Sequence, residues 1–404
     1  MPFAYLRIAR LPLCLLSFLG AVPLYAAGTS PAASAGALVH QAQIEVRISC
    51  PPSVVLGSDG ERHLAYEMRI TSFQDEDNPL TLTQLALFAD SAKTPLEVVR
   101  GSALNGLTNI SGNEDNESGV PIVSGKSLTL FLWVTLPTGV LPRSLRHQLI
   151  LRARNGDIQR ADTIITPIAR TGAIHVAPPL RGGRWLAVEG PGNHQSHHWG
   201  SVVAINGALT IPQRFAIDWF KLDPSNHSIR GRHDSPASTG DEDWVGYDQD
   251  VLAVADGVVV DSRDGVPNGK PLAPQETPAD LTTRTLYGNF VVLKIAPGVY
   301  AHYAHLKDGT VKVRIGQYVR KGATIGRLGQ TGAAGAPHLH FHLSDRSTFE
   351  GSEGLPFVID AFAHLGKTKI EATFDATSAS KLRASRENKA RDALPLDGDV
   401  VIFR

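Results

Sequence analysis

The chain has 404 residues with 39 Lys+Arg against 39 Asp+Glu, so its length allows two or three domains while its zero formal charge argues against nucleic-acid binding. Fifteen histidines against two cysteines exclude zinc sites built on several thiolates, so a metal centre here has to use imidazole and carboxylate. With 42% hydrophobic and 19% charged residues, the composition is that of a globular chain and not of a disordered or membrane-embedded one.

Arg7 and Arg10 precede the apolar run 11–25, which leads into Ala26, Ala27 and Gly28. This is the layout of a secretory signal peptide over residues 1–26, and the run is shorter than the ~20 residues that span a bilayer. Cleavage near Ala26 leaves 37 basic and 39 acidic residues and removes Cys14, so Cys50 becomes the only thiol. The expected product is an exported protein, periplasmic or extracellular, without an internal disulfide or a stable membrane anchor.

Residues 37–170 read as short alternating strands, among them 43–49 (QIEVRIS), 66–71 (YEMRIT), 127–135 (SLTLFLWVT) and 147–154 (HQLILRAR). Polar turns separate them, which predicts an all-β domain of immunoglobulin-like β-sandwich type, with 105–120 as an exposed loop. His40, His63 and His147 are scattered singly in this half and carry no catalytic pattern. The Gly- and Pro-rich stretch 171–193 reads as a linker. Residues 194–366 are again strand-like, with a polar insertion at 223–248, and the tail 367–404 contains one helix-compatible, highly charged stretch at 379–393.

Eleven of the fifteen histidines lie between residues 191 and 364, most densely in PHLHFHL, 337–343. In an extended strand His338, His340 and His342 share one face while Leu339, Phe341 and Leu343 share the other. Three imidazoles on one surface suit a metal ligand beside groups that act on water or an oxyanion.

The stretch GRLGQTGAAGAPHLHFHL (326–343), together with YAHL (303–306), GQYVRKG (316–322), VLAVADGVVV (251–260) and YGNFVVLKI (287–295), resembles the LytM/lysostaphin-like M23 family of zinc metallopeptidases. These motifs stand in the family's order across roughly residues 194–364. The resemblance implies an antiparallel β-sheet peptidase domain with a groove, which cleaves peptide bonds of peptidoglycan with a metal-activated water. Carried over by position, Asp218 and His340 become zinc ligands, and His305 and His338 the catalytic pair. His302 is three residues from His305, so in a straight strand only one of them looks into the groove; the resemblance selects His305.

The family's HxxxD motif is broken, because Arg214 stands four residues before Asp218 and a guanidinium has no lone pair for a metal. Alternation places Arg214, Ala216 and Asp218 on one face, so Arg214 is expected to hold the vacated place. A substitute ligand is available in 193–198 (NHQSHH): a hairpin turning at Asn206–Gly207 would bring His198, or alternatively His197, to the metal from the neighbouring strand. Two functions follow. One is an exported zinc metalloendopeptidase; the other is a non-catalytic binding or regulatory module that has lost its metal.

Overall fold

The computed structural model describes residues 40–108, 118–274, 278–374 and 382–403. The expected signal segment lies outside them, as does the middle of the loop expected at 105–120. The described chain is almost entirely strands, in the all-β class expected.

In the N-terminal part, Arg62–Ser72 pairs antiparallel with Ile44–Arg47, Val54–Leu56 and Ser127–Leu136. A second sheet runs in the order His40–Gln41, Ile158–Pro167, Ser144–Ala153, Leu80–Ala89, Glu97–Arg100, with Val120–Ile122 also paired to Leu80–Ala89. Alternation along Arg62–Ser72 sends Leu64, Tyr66, Met68 and Ile70 into a core shared with Leu80, Leu85, Leu149 and Leu151 of the second sheet. Each such side chain contributes ~1.5–3 kcal/mol by leaving water. The intervening residues face the other way: Ala65 and Phe131 belong to the core of the following domain, so both faces of the smaller sheet are covered. The structure yields a two-sheet sandwich without singling out an immunoglobulin topology.

One polar pair is sealed inside this sandwich. The Tyr66 hydroxyl lies 2.8 Å from His147 Nε2, while His147 Nδ1–H donates to the Ile164 carbonyl at 3.1 Å, so Tyr66 is the donor in the first contact. Burial pushes His147 down to about 4. Its folded pKa thus lies below the unfolded value of about 6.5, so stability is full above that value and is lost as pH falls toward 4. Up to ~3 kcal/mol is expected to disappear over this window. His147→Gln should start less stable at pH 7 but lack this part of the acid slope; urea midpoints at pH 7 and 4.5 check it, and an unchanged slope would remove His147 as the cause.

The C-terminal part is built on a long sheet in the order Ile174–Val176, Phe357–Lys367, Asp399–Ile402, Arg184–Val188, Ile217–Leu222, Leu339–Ser344, Val299–Leu306, Asn289–Ala296, Gly257–Arg263, Tyr318–Val319. Two expectations are corrected here. The stretch 171–193 is not a linker, because Arg184–Val188 lies mid-sheet between Ile217–Leu222 and Asp399–Ile402, with Trp185, Leu186 and Ala187 buried. Nor is the tail a solvated helix, because Arg383–Ala393 pairs with Phe357–Lys367. A strand paired along one side can leave charged side chains in water just as a solvated helix does, so charge count alone does not distinguish them. The insertion 223–248 is also only partly exposed: Ile229 and Trp244 pack with Leu186, Phe220 and Leu222.

Candidate active site

Leu339–Ser344 behaves as its alternation predicts. Leu339, Phe341 and Leu343 enter the main core with Ile217, Trp219 and Tyr303, and the histidines occupy the other face. The antiparallel register sets Asp218 opposite His340 and His302 opposite His342. Directly opposed residues project to the same side, so Asp218 and His340 meet, with Oδ1 2.9 Å from Nδ1.

Asp218 is the hub of the site. The same Oδ1 lies 3.3 Å from His338 Nε2 and 3.4 Å from His198 Nε2, and all four side chains are buried. Burial alone would raise the Asp218 carboxyl, but the adjoining His338 and His198 outweigh it and hold it well below the usual range. The reciprocal effect appears at His338, where burial lowers the pKa but Asp218, together with the Ala336 carbonyl, raises it above its ordinary value. His338 Nδ1–H donates to the Ala336 carbonyl at 2.7 Å, which turns Nε2 into the cleft toward Asp218.

His198 reaches Asp218 by a different route from the expected hairpin. The hairpin exists, with both turn residues at positive φ as a type I′ turn requires (Asn206 51°, Gly207 79°), but it pairs only Val203–Ile205 with Ala208–Thr210. His198 sits instead in a single helical turn, His197–Gly200, whose cap Ser196 accepts from the His198 amide. Its Nδ1 lies 2.9 Å from the Glu189 carbonyl, which leaves Nε2 to face Asp218. The donor atoms of His197, His198 and Asp218 lie within 4.8 Å of one another, yet His197 is exposed and its Nδ1 faces the Glu189 carboxylate at 3.2 Å.

Arg214 is not at the metal position. Residues 212–215 form a turn, closed by the Ala216 amide on the Gln213 carbonyl at 3.0 Å, so strand parity does not extend back from Asp218. The guanidinium points away, pairing with both oxygens of Glu67 at 2.8 Å and with Glu353 at 2.8 Å. Gln213, which sequence reasoning missed, lines the cleft in its stead, its amide nitrogen 3.1 Å from His340 Nε2.

The parity argument also fails between His302 and His305. His305 has φ 64°, and the register to Asn289–Ala296 slips between Asn289 and Val291, so a bulge turns both histidines to the same side. His305 Nδ1–H donates to the Thr331 carbonyl at 2.8 Å, which leaves Nε2 as an acceptor toward His338 and His340. Burial, reinforced by those two neighbours, holds His305 well below its ordinary value. His302 stacks on His342 at 4.5 Å with 7° between the planes. His342 was legible as a member of the histidine face but had no assigned role; its Nδ1 lies 3.0 Å from His340 Nε2. The Gln213 amide can donate to His340 Nε2, and beyond it His342 Nε2 lies 3.3 Å from the Tyr287 hydroxyl, which lies 3.4 Å from His302 Nδ1.

Asp218, His340 and His198 offer the carboxylate and imidazole donors that zinc takes. Bonds of ~2.0–2.2 Å at tetrahedral corners put ligand atoms ~3.3 Å apart, and Asp218 Oδ1 lies 2.9 Å from His340 and 3.4 Å from His198. A trio whose donor atoms all lie within 4.8 Å of one another is Asp218, His198 and His197. His227 and His233, in the insertion, are not brought here: His233 Nε2 bonds the Arg230 carbonyl at 2.8 Å and His227 faces Asp223. The cleft, about 150 Å³, also has Leu281, Leu286, Tyr287 and Gly335 in its walls.

Residues 243–350 match the model of peptidase family M23. This span holds His305, His338 and His340 and begins after Asp218, so it is narrower than the 194–364 suggested by the motifs. The cell division protein DipM of Caulobacter vibrioides is 42% identical over 57 residues, which make up 14% of this chain and 9% of that protein. The chain thus matches less than a tenth of that relative's length. Among solved structures, the chain is similar to the catalytic domain of the antimicrobial peptidase lysostaphin from Staphylococcus simulans (20% identity, 38% of this chain, 80% of that chain, TM-score 0.22). It is also similar to a zinc-containing peptidase from Vibrio cholerae (13% identity, 76% of this chain, 83% of that chain, TM-score 0.22).

Proposed function

We propose that the chain, whose residues 243–350 match the model of peptidase family M23, is an exported zinc metalloendopeptidase that hydrolyses peptide bonds in peptidoglycan. The observation that carries this reading is the Asp218 carboxylate, buried and ringed by His198, His338 and His340 within 2.9–3.4 Å of one oxygen. Asp218, His340 and His198 would hold the metal, with His197 the weaker alternative. Zinc in such a site supplies an activated water at neutral pH and polarises the scissile carbonyl.

The chain's own residues divide the proton work. His305, kept neutral by burial, presents the Nε2 lone pair and can accept a proton from the attacking water. His338, whose protonated form Asp218 favours, can stabilise negative charge on the carbonyl oxygen or protonate the leaving amine. Two groups shifted in opposite directions at 4.8 Å between ring centres are the arrangement that acid and base roles require. Export rests on the run at 11–25, and no helix among the described residues is long and apolar enough to cross a membrane.

Purified protein is expected to carry about one zinc per chain and to cleave muropeptides, with activity lost on chelation and regained on adding zinc. Protein that takes up no zinc on reconstitution and cleaves nothing would overturn the reading and leave the non-catalytic module.

A further inference from the structure

The arginine that breaks the HxxxD motif has a partner 147 positions away in the sequence, Glu67 of the N-terminal sandwich. Glu67 lies on the face of Arg62–Ser72 opposite Leu64, Tyr66, Met68 and Ile70. Both its oxygens take Arg214, at 2.8 Å each, in a planar bidentate pair, and Oε1 also accepts from Trp199 Nε1. The indole of Trp199 is buried against Phe131 and Trp133 of the same sandwich face, at 5.8 and 6.3 Å between ring centres. The two residues Glu67 grips each adjoin a residue of the site: Trp199 follows His198, and Arg214 follows Gln213.

We propose that Glu67 is a positioning residue for the metal site, fixing through Trp199 and Arg214 the two segments that present His198 and Gln213. This rests on the reading of His198 as a ligand. Where the motif histidine is gone, its substitute sits in a single helical turn held by the Ser196 cap, the Glu189 carbonyl and the clamp on Trp199, and only the last of these reaches it from the N-terminal sandwich. The N-terminal sandwich is then part of the metal centre, reaching it through one carboxylate. Buried charge makes the clamp directional: Arg214 at 4% exposure needs both Glu67 and Glu353, and neither can be lost without reorienting the turn at 212–215.

The test uses the full chain. Glu67→Gln keeps the shape and leaves Arg214 paired with Glu353; Trp199→Phe keeps the ring packing and removes only the N–H donor. Zinc affinity, read by competition with a chromophoric chelator, should fall about tenfold in either variant. In a His198→Ala background Trp199→Phe should have no further effect, because the ligand it positions is already gone, and Glu67→Gln should keep only the smaller part that it exerts through Arg214. Equal losses with and without His198, or unchanged affinity in both variants, would overturn the proposal. A metal-free readout separates it from the zinc reading: amides of 196–200 and 212–216 should exchange about tenfold faster in Glu67→Gln. Unchanged exchange there would overturn it even if the chain binds zinc, whereas faster exchange in a chain that takes up no zinc would support the clamp and refute only the peptidase assignment.

Discussion

Asp218→Ala is expected to abolish zinc binding and to reduce muropeptide cleavage by about a thousandfold or more. Its effect should exceed that of any single histidine change, because three imidazoles depend on this one carboxylate. His340 Nδ1, His338 Nε2 and His198 Nε2 all lie within 3.4 Å of Oδ1, and His338 owes its raised pKa largely to it. Without the carboxylate, only the Ala336 carbonyl opposes burial at His338, whose protonated form is then less favoured. The hydrophobic face of Ile217–Leu222 is untouched, so the variant should fold. Metal analysis should read background zinc, and the rise in thermal stability that zinc gives the parent through binding the native state should vanish. A variant that retains stoichiometric zinc, or whose cleavage falls by less than tenfold, would show that the metal sits elsewhere. Replacing His198 should weaken zinc binding less severely, and replacing His197 less again, in line with its exposed ring.

Much of this site could be read from local alternation. Leu339–Ser344 is a straight strand, so parity correctly sorted its leucines and phenylalanine from its histidines, and the opposed register of Asp218 and His340 follows once the strands pair. Parity failed where the backbone ceased to be a strand. A turn at 212–215 swung Arg214 out of the site, and a left-handed residue at His305 brought it onto the same side as His302. The first event is marked only by Pro212 at the head of the turn, and the second only by the modest tolerance of histidine for positive φ. The strand Arg184–Val188 was hidden for the opposite reason: glycines on both sides punctuate it correctly, but five residues are too few to outweigh them in a local reading. Its place mid-sheet is decided by partners some 30 and 215 positions away. Glu67 was the least legible of all, one charge among alternating residues whose meaning exists only after two domains have packed.

His305→Asn separates the chemistry from the scaffold. A left-handed φ of 64° at a non-glycine residue costs ~1–2 kcal/mol, and asparagine is among the residues that tolerate it best, so the bulge should survive the change. The substitution shortens the side chain and removes the basic nitrogen that faces the cleft. His305 is not in the ligand set around Asp218, so zinc content should stay near that of the parent. The kcat is then expected to fall about 10²–10⁴-fold, the usual worth of a positioned general base, with KM little changed because the group acts on water and not on the bound peptide. Loss of zinc together with activity would make His305 a ligand, and a kcat within tenfold of the parent would remove it from the proton path. The result bears on His338 as well. If His305 takes the proton of the water while His338 serves the carbonyl oxygen or the leaving amine, His338→Ala should also lower kcat, and a double variant that loses little more than either single one would show that both act in the same rate-limiting step.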